Sequence, residues 1–373
     1  MWLLARKILL YDRVKFLVAA AGVSVSVFLV LVQIGLYLGF MRNASSIVDH
    51  ADADLWVASA GTENFDIAAP MDERTFYRVA GTPGVAHAER MILAFGQFKM
   101  ESGGAQGVEV VGLERDARLF RPWNVVEGDP RRISEVDGIV IDRSEFPKLQ
   151  MTALGDRREI TGMRSRSVAL TQGIRSFTTS PYVFTNIQTA RAYTRLRSDQ
   201  LTYVLVQAAP GVPVATVRDR LNRIPYVSAY ETRAFSELAR SYWSERTGVG
   251  AGFFMTAMMG VIVGLVVVGQ ILYNGTLEHI REYGTLKAMG AKNSAIVAVI
   301  LYQALISAAL GLVLGGAMAV VARAALSAAN LSVVLSPAVL AVTAVLTGVM
   351  CTLAALLSIV KVLRLDPASV FKG

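Results

Sequence analysis

Cysteine is almost absent from this chain of 373 residues, which has only Cys351. A lone cysteine closes no disulfide within one chain, so any folded part outside the cytosol must stand on its own apolar core. Histidine is nearly as scarce. His50, His87 and His279 are scattered, and no His-Glu-x-x-His or Cys/His cluster is present to hold zinc. The Gly-x-x-x-x-Gly-Lys-Ser/Thr phosphate loop is missing. So is the Gly-x-Ser-x-Gly nucleophile motif. Acid pairs such as Asp52/Asp54 and Asp72/Glu73 read as solvated faces or helix starts. No catalytic residue, cofactor-binding residue or metal ligand is therefore expected in this chain.

Charge is missing as well, over four long runs: Phe16 to Met41, Thr247 to Leu277, Asn293 to Ala322 and Ala324 to Val360. A bilayer core needs about 20 apolar helical residues, so each run is long enough to span. The last run is too long for one helix. Its first part, with Asn330 and Ser332, reads as a loop, and Pro337 then sits at a helix start. The expected spans are 16–41, 247–274, 294–322 and 337–361, with a turn over 323–336. The first is longer than the apolar core of a cleaved signal peptide, about 7–15 residues.

The spans hold no buried Asp, Glu, Lys, Arg or His, which argues against ion-coupled transport and proton relays. Their main long polar side chains are Gln33, Gln270, Asn274 and Gln303, suited to interhelical hydrogen bonds or to lining a path. Glycines spaced for close helix approach are more telling. Gly35/Gly39, Gly248/Gly252, Gly260/Gly264 and Gly311/Gly315 predict tight packing within the membrane, including packing against a second copy.

Basic residues set the orientation. Arg6, Lys7, Arg13 and Lys15 precede the first span, Arg281, Lys287 and Lys292 lie between the second and third, and Lys361, Arg364 and Lys372 follow the fourth. Those three places are expected in the cytoplasm, with both termini, and residues 42–246 outside it. The insert from Arg42 to Arg246 holds 26 basic and 25 acidic residues, so it is nearly neutral. The pI near 9.6 thus reports topology and attraction to anionic lipid headgroups. No basic stripe with interleaved aromatics marks a nucleic-acid surface.

Within the insert, Asp54–Ser59 and Thr202–Gln207 read as strands. Each is followed by a helix (Asp72–Ala80, Val214–Ile224) and a further strand after Gly84 or Pro225. Two such units pair as a split βαβ lobe over 42–111 and 198–235. Residues 112–197 read as a second, β-rich lobe with little helix, and 236–246 as a helical stalk. The fold class expected is thus an α-helical membrane protein with four transmembrane helices, one plus three, and a large α/β extracytoplasmic domain of two lobes. A leader over residues 1–15, with Trp2–Tyr11 amphipathic, is expected along the inner leaflet, and 362–373 is a cytoplasmic tail.

The loop over 275–293 is short and specific. Thr276–Lys292 reads TLEHIREYGTLKAMGAK. Leu277, Ile280, Tyr283/Gly284 and Lys287 share one helical face, Glu278, Arg281, Glu282 and Thr285 fall largely on others, and Gly290 ends the helix as a C-cap. Such a helix is either a surface anchor or a docking element for a soluble partner.

On this loop the chain resembles the permease subunits of the FtsX/MacB/LolC group of ABC transporters. Arg281–Ala291 matches the group's R-E-[apolar]-G-x-x-[KR]-A-[apolar]-G-A pattern, and Leu365–Phe371 (LDPASVF) its closing signature. Phe177–Thr185 (FTTSPYVFT) is similar to a stretch found in DevC-type permeases. The resemblance implies a non-catalytic permease subunit of the bacterial inner membrane, with ATP and Mg bound by a separate cytoplasmic ABC ATPase dimer. It implies coupling through Leu277, Ile280, Arg281, Glu282, Tyr283, Gly284, Leu286, Lys287, Met289 and Gly290. It also implies a homodimer, a periplasmic HlyD-like adaptor and an outer-membrane channel, with export by mechanotransmission. The alternatives within the group are an FtsX-like regulator of a cell-wall hydrolase and LolC/LolE-like lipoprotein extraction.

Overall fold

The computed structural model describes residues 13–328 and 331–363. The leader Trp2–Tyr11 and the Leu365–Phe371 motif lie outside the described residues. Phe40–Gly248 forms one compact unit, and the helices before and after it form another. The longer helices are α1 (Arg13–Ala44), α2 (Arg74–Ala80), α3 (Ile187–Thr194), α4 (Val214–Leu221), α5 (Thr232–Ser241), α6 (Val249–Glu278), α7 (Ile280–Ala288), α8 (Asn293–Ala328) and α9 (Pro337–Leu363).

α1, α6, α8 and α9 are each long and apolar enough to cross a membrane. α9 starts at Pro337, whose missing N–H costs a first turn nothing, and the Ser336 hydroxyl accepts from Val339 N at 3.3 Å. The other ends differ from the expected 41, 274 and 322. α8 runs on to Ala328, so the turn expected over 323–336 is shorter and Arg323 sits exposed on the helix. The alanine-rich stretch after it favours continuation, and a long basic side chain at a span end reaches polar surroundings.

Val23, Val27 and Leu31 of α1 pack with Val268, Leu272, Ile300, Ala304, Met350 and Ala354 in one core. Glycine makes this approach possible. A Cβ on Gly311 would overlap Val23, one on Gly315 would lie 2.6 Å from the Ser24 carbonyl, and one on Gly264 would overlap Ser26. Gly260 faces Leu29 at 3.2 Å, and its carbonyl accepts from the Ser26 hydroxyl at 2.6 Å. Gly35 and Gly39 lie under Ser332–Val334, where Val334 N donates to the Gly35 carbonyl at 2.9 Å. All six glycines are thus used within one copy. Gly248 and Gly252 have nothing within 4 Å of a Cβ.

The inserted domain is built on strands β1 (Leu55–Ser59), β2 (Met71–Asp72), β3 (Val85–Lys99), β4 (Ala105–Leu113), β5 (Val125–Gly128), β6 (Gly138–Asp142), β7 (Arg157–Ile160), β8 (Met163–Thr171), β9 (Tyr182–Asn186), β10 (Gln200–Leu201), β11 (Tyr203–Ala208) and β12 (Val227–Glu231). β2 pairs only with β10. The rest form one sheet in the order β12-β1-β11-β3-β4-β9-β6-β8-β5, with β7 against β3 and β8. Its first four strands are antiparallel neighbours, with Trp56 opposite both Leu205 and Tyr230. With α2 between β1 and β3, and α4 between β11 and β12, this is the split βαβ arrangement.

The middle segment is not a separate sheet. β4 follows β3 as a hairpin and then pairs in parallel with β9, Val110 opposite Val183, so a single sheet runs through both halves. Helix is sparse in the middle, where α3 is the longest such element. α3 packs on β4 where Gly112 leaves room, since a Cβ there would overlap Ala190.

Alternation along β1 sends Leu55 and Val57 toward α2 and α4, and Trp56 and Ala58 to the opposite face. On that face Trp56, Phe65, Tyr203 and Phe235 form an aromatic cluster, with Trp56 and Tyr203 rings 5.6 Å apart at 81°. Phe235 belongs to α5. The segment expected as a stalk over 236–246 therefore begins in a helix that covers the sheet, because Phe235 and Ala239 complete its core. The chain then passes through a π-turn, Tyr242–Arg246.

Two outcomes follow. Phe235→Ala should cost about 3–5 kcal/mol of domain stability, whereas Arg240→Ala, which removes a half-exposed ion pair, should cost about 1 kcal/mol or less. Chemical denaturation of the full chain in detergent, followed by tryptophan fluorescence, separates these. In the membrane core, Gly39→Val should lower stability by about 1–3 kcal/mol, and Gly252→Val should leave the melting temperature unchanged.

Candidate functional site

The segment between the second and third spans is helical almost throughout. α6 ends at Glu278, His279 breaks the path, and α7 begins at Ile280. Backbone bonds cross the break, from His279 N to Gly275 O at 3.2 Å and from Tyr283 N to His279 O at 3.1 Å. The other end closes as a Schellman motif. Gly290 adopts φ +90°, its N–H bonds to Lys287 O at 3.0 Å, and Ala291 N bonds to Leu286 O at 3.0 Å.

The residues singled out by sequence divide into two sets. Tyr283 is 1% exposed and sits in the four-helix core, and its hydroxyl is hydrogen-bonded to Gln303. Gly284 is buried beside it, Leu286 packs on the same core, and Leu277 and Ile280 are half-buried. Lys287 donates from Nζ to the carbonyls of Val362 at 3.0 Å and Leu363 at 3.1 Å, at the C-terminal end of α9. A cation there meets the negative end of the helix.

Arg281, Glu282, Met289 and Gly290 are exposed, as are Thr285 and Ala288. Arg281, Thr285 and Met289 recur every four residues and so line one side, with Met289 72% exposed. The Glu282 carboxylate lies 2.9 Å from His279 Nδ1, one turn back. The amphipathic face read from sequence is therefore the inward anchor, and the outward strip is the available surface.

The FTTSPYVFT stretch lies elsewhere, in the inserted domain. Tyr182–Thr185 belong to β9 and are buried, and Pro181 O accepts from Glu109 N at 2.9 Å. The Phe177 ring packs on Trp243 of the π-turn at 4.3 Å and on Phe40 at 5.5 Å. Ser176 and Thr178 donate their hydroxyls to Glu109 Oε1, the former at 2.8 Å.

Glu109 is 1% exposed in β4, and Asp66 is 3% exposed in the loop after β1. Trp243 Nε1 donates to Asp66 Oδ2 at 2.9 Å, and the Tyr182 hydroxyl to Asp66 Oδ1 at 3.4 Å. Burial pushes the Asp66 carboxyl up to about 6, against the pull of the Trp243 and Tyr182 hydrogen bonds. Burial together with the charge of Asp66 pushes Glu109 further, to about 8. Neither acid was singled out by sequence. The signal was a charged residue within GVEVVGL, a strand otherwise apolar enough to be covered on both faces.

No group of three or more His, Cys, Asp or Glu that could hold a metal ion occurs among the described residues. Residues 16–224 match the MacB-like periplasmic core domain family, and residues 253–367 match the FtsX-like permease C-terminal family. Among curated relatives, an uncharacterized ABC transporter permease of Mycobacterium tuberculosis is 26% identical over 92% of this chain and 91% of its own length. Another, of Mycobacterium bovis, is 24% identical over 96% of each. Among solved structures, the periplasmic region of MacB from Actinobacillus actinomycetemcomitans covers 51% of this chain and 94% of its own. It does so at 7% identity and a TM-score of 0.38. With more than half its length matched by one family and most of the remainder by the other, the chain belongs to the MacB-like periplasmic core domain family and is an ABC transporter permease of the FtsX/MacB type.

Proposed function

We propose that this permease couples a separate cytoplasmic ATPase to motion of the inserted domain, and that α7 is where force enters. The observation that carries the reading is the two-sidedness of α7. Its inner face is fixed by Tyr283, Gly284 and the Lys287 bonds to α9, while Arg281, Glu282, Thr285 and Met289 face outward. A helix fixed on one side and exposed on the other suits a groove on a partner. The mixed strip, one cation, one anion and an exposed thioether, suits a contact with an apolar centre and a charged rim. The positive-inside pattern supports a cytoplasmic position for α7 and both termini.

In this reading the working assembly holds two permease copies and an ATPase dimer, which supplies ATP and Mg. Cargo leaves through a HlyD-like adaptor and an outer-membrane channel. An insert of about 200 residues and the FTTSPYVFT stretch support export over FtsX-like regulation of a cell-wall hydrolase, where outer domains are typically smaller, and FTTSPYVFT with the closing LDPASVF supports it over LolC/LolE-like lipoprotein extraction.

Glu282→Lys reverses the outward charge and should abolish ATPase co-purification or permease-stimulated ATP hydrolysis, with the melting temperature of the permease unchanged. Tyr283→Ala should do the opposite first. It empties a core position and should lower stability by about 3–5 kcal/mol. Co-purification and thermal melting of both variants test the assignment. If Glu282→Lys retains full stimulated hydrolysis, α7 is not the docking helix.

A further inference from the structure

We propose that Asp66 and Glu109 form a proton-held latch, in which one proton on the buried pair keeps the π-turn Tyr242–Arg246 docked on the body of the domain and its loss releases the turn. The inference does not rest on the transport reading, because it concerns only the inserted domain.

The latch joins four segments. Glu109 comes from β4, in the middle of the sheet, and Asp66 from the loop after β1. Ser176 and Thr178 come from the loop before β9, and Trp243 from the turn that precedes α6. Tyr203 fixes the Asp66 loop by donating its hydroxyl to Phe65 O at 2.7 Å, and Tyr230 donates to Thr62 O at 3.0 Å. The pair is therefore held rigidly on three sides. On the fourth side stands the π-turn, held by the Trp243 bond to Asp66, by the Phe177 ring and by an exposed Arg246–Glu63 ion pair.

The titratable and charged groups around the pair are few. Tyr182 and Tyr203 stay neutral, since burial raises both phenols well above their ordinary value. The side-chain hydrogen bonds to the two carboxylates come from hydroxyls and the Trp243 indole. Glu109 Oε1 has two hydroxyl donors, but Oε2 is buried with no hydrogen-bond partner among the described residues. Two ionised carboxylates in so dry a site repel each other, and such a pair loses its protons in two separate steps.

The chemistry assigns the states. With one proton on Glu109, Asp66 is ionised and accepts strong hydrogen bonds from Trp243 and Tyr182. When the second proton leaves, Glu109 becomes an uncompensated buried anion beside Asp66. Glu109 is fixed in the sheet, so relief comes from the segment that can move, the π-turn. The sign is definite. Both folded-state values are raised, so the folded domain binds protons more tightly than the unfolded chain. Its stability falls as pH rises from about 4, where carboxyls of the unfolded chain lose their protons, to about 8, and levels off above that.

The test uses the full chain in lipid nanodiscs, labelled with 5-fluorotryptophan, with the Trp243 fluorine resonance assigned by its loss in Trp243→Phe. From about pH 6 to about pH 9.5 the resonance should move with a midpoint near that of Glu109, and amide exchange over 242–247, corrected for intrinsic rate, should rise about tenfold. Glu109→Gln mimics the protonated acid and should abolish both changes. Thr178→Val removes a donor that favours the charged form and should move the midpoint upward, which decides the matter even if Glu109→Gln fails to fold. A flat wild-type titration overturns the latch. So does the wild-type titration in a folded Glu109→Gln protein, or an unmoved midpoint in Thr178→Val.

Discussion

The chain enters and leaves the inserted domain through two segments far apart in sequence, and those segments are locked together. After α1, the turn Ser45–Asp49 meets α5. The Asp49 carboxylate accepts from the Ser45 hydroxyl at 2.7 Å, the Ser236 hydroxyl at 2.6 Å and the Arg240 guanidinium at 2.6 Å. Ile47 and Val48, from the same turn, are buried in the core that holds Trp56 and Phe235. The ion pair is half-exposed and contributes about 1 kcal/mol or less, whereas each fully buried apolar side chain contributes about 1.5–3 kcal/mol. Packing therefore holds the two segments, and the polar groups fix their register. A displacement of α5 has to be shared by the turn Ser45–Asp49, because one cluster of side chains holds both.

The sheet explains how a large insertion is accommodated without a second core boundary. A split βαβ unit ends its sheet at β3, whose outer edge would be an open row of amides and carbonyls. β4 covers that edge as a hairpin, and β9 then pairs in parallel with β4, so the second half grows from the first. The cost is that β4 is covered on both faces and both edges, which leaves Glu109 with no route to water. Its neighbours answer with two hydroxyls from Ser176 and Thr178 rather than with a cation.

What the sequence disclosed was periodic or exclusionary. Charge-free runs located the four long helices, Pro337 marked a helix start, and the strands around Trp56 and Tyr203 read as short continuous apolar runs, as strands with two buried faces do. Gly290 was legible because a positive φ at a helix end favours glycine. What stayed hidden depended on partners remote in sequence. Arg323 reads as a break in an apolar run, yet helix propensity carries α8 through it. Tyr283 and Lys287 share a face with Leu277 and Ile280, but only the core and the α9 carbonyls show that this face points inward. Asp66 and Glu109 lie 43 positions apart, and neither is unusual until the fold removes both from water. The glycine pairs announced close packing but not the partners, which for Gly35/Gly39, Gly260/Gly264 and Gly311/Gly315 include helices and a loop of the same copy.

These features divide the molecule physically. The membrane helices are joined by glycine contacts and alanine-rich packing, and the buried polar side chains named in their core, such as Gln303, Ser307 and Thr343, carry no charge. Such a core has little to exchange with a polar cargo, and parting its helices would open close contacts along α1. The inserted domain is different in kind. It holds buried ionisable groups, a π-turn in place of a regular helix end, and a polar clamp where the chain passes in and out. Within that domain the irregular helix end and the buried acids meet at one place, where the Trp243 indole donates to Asp66.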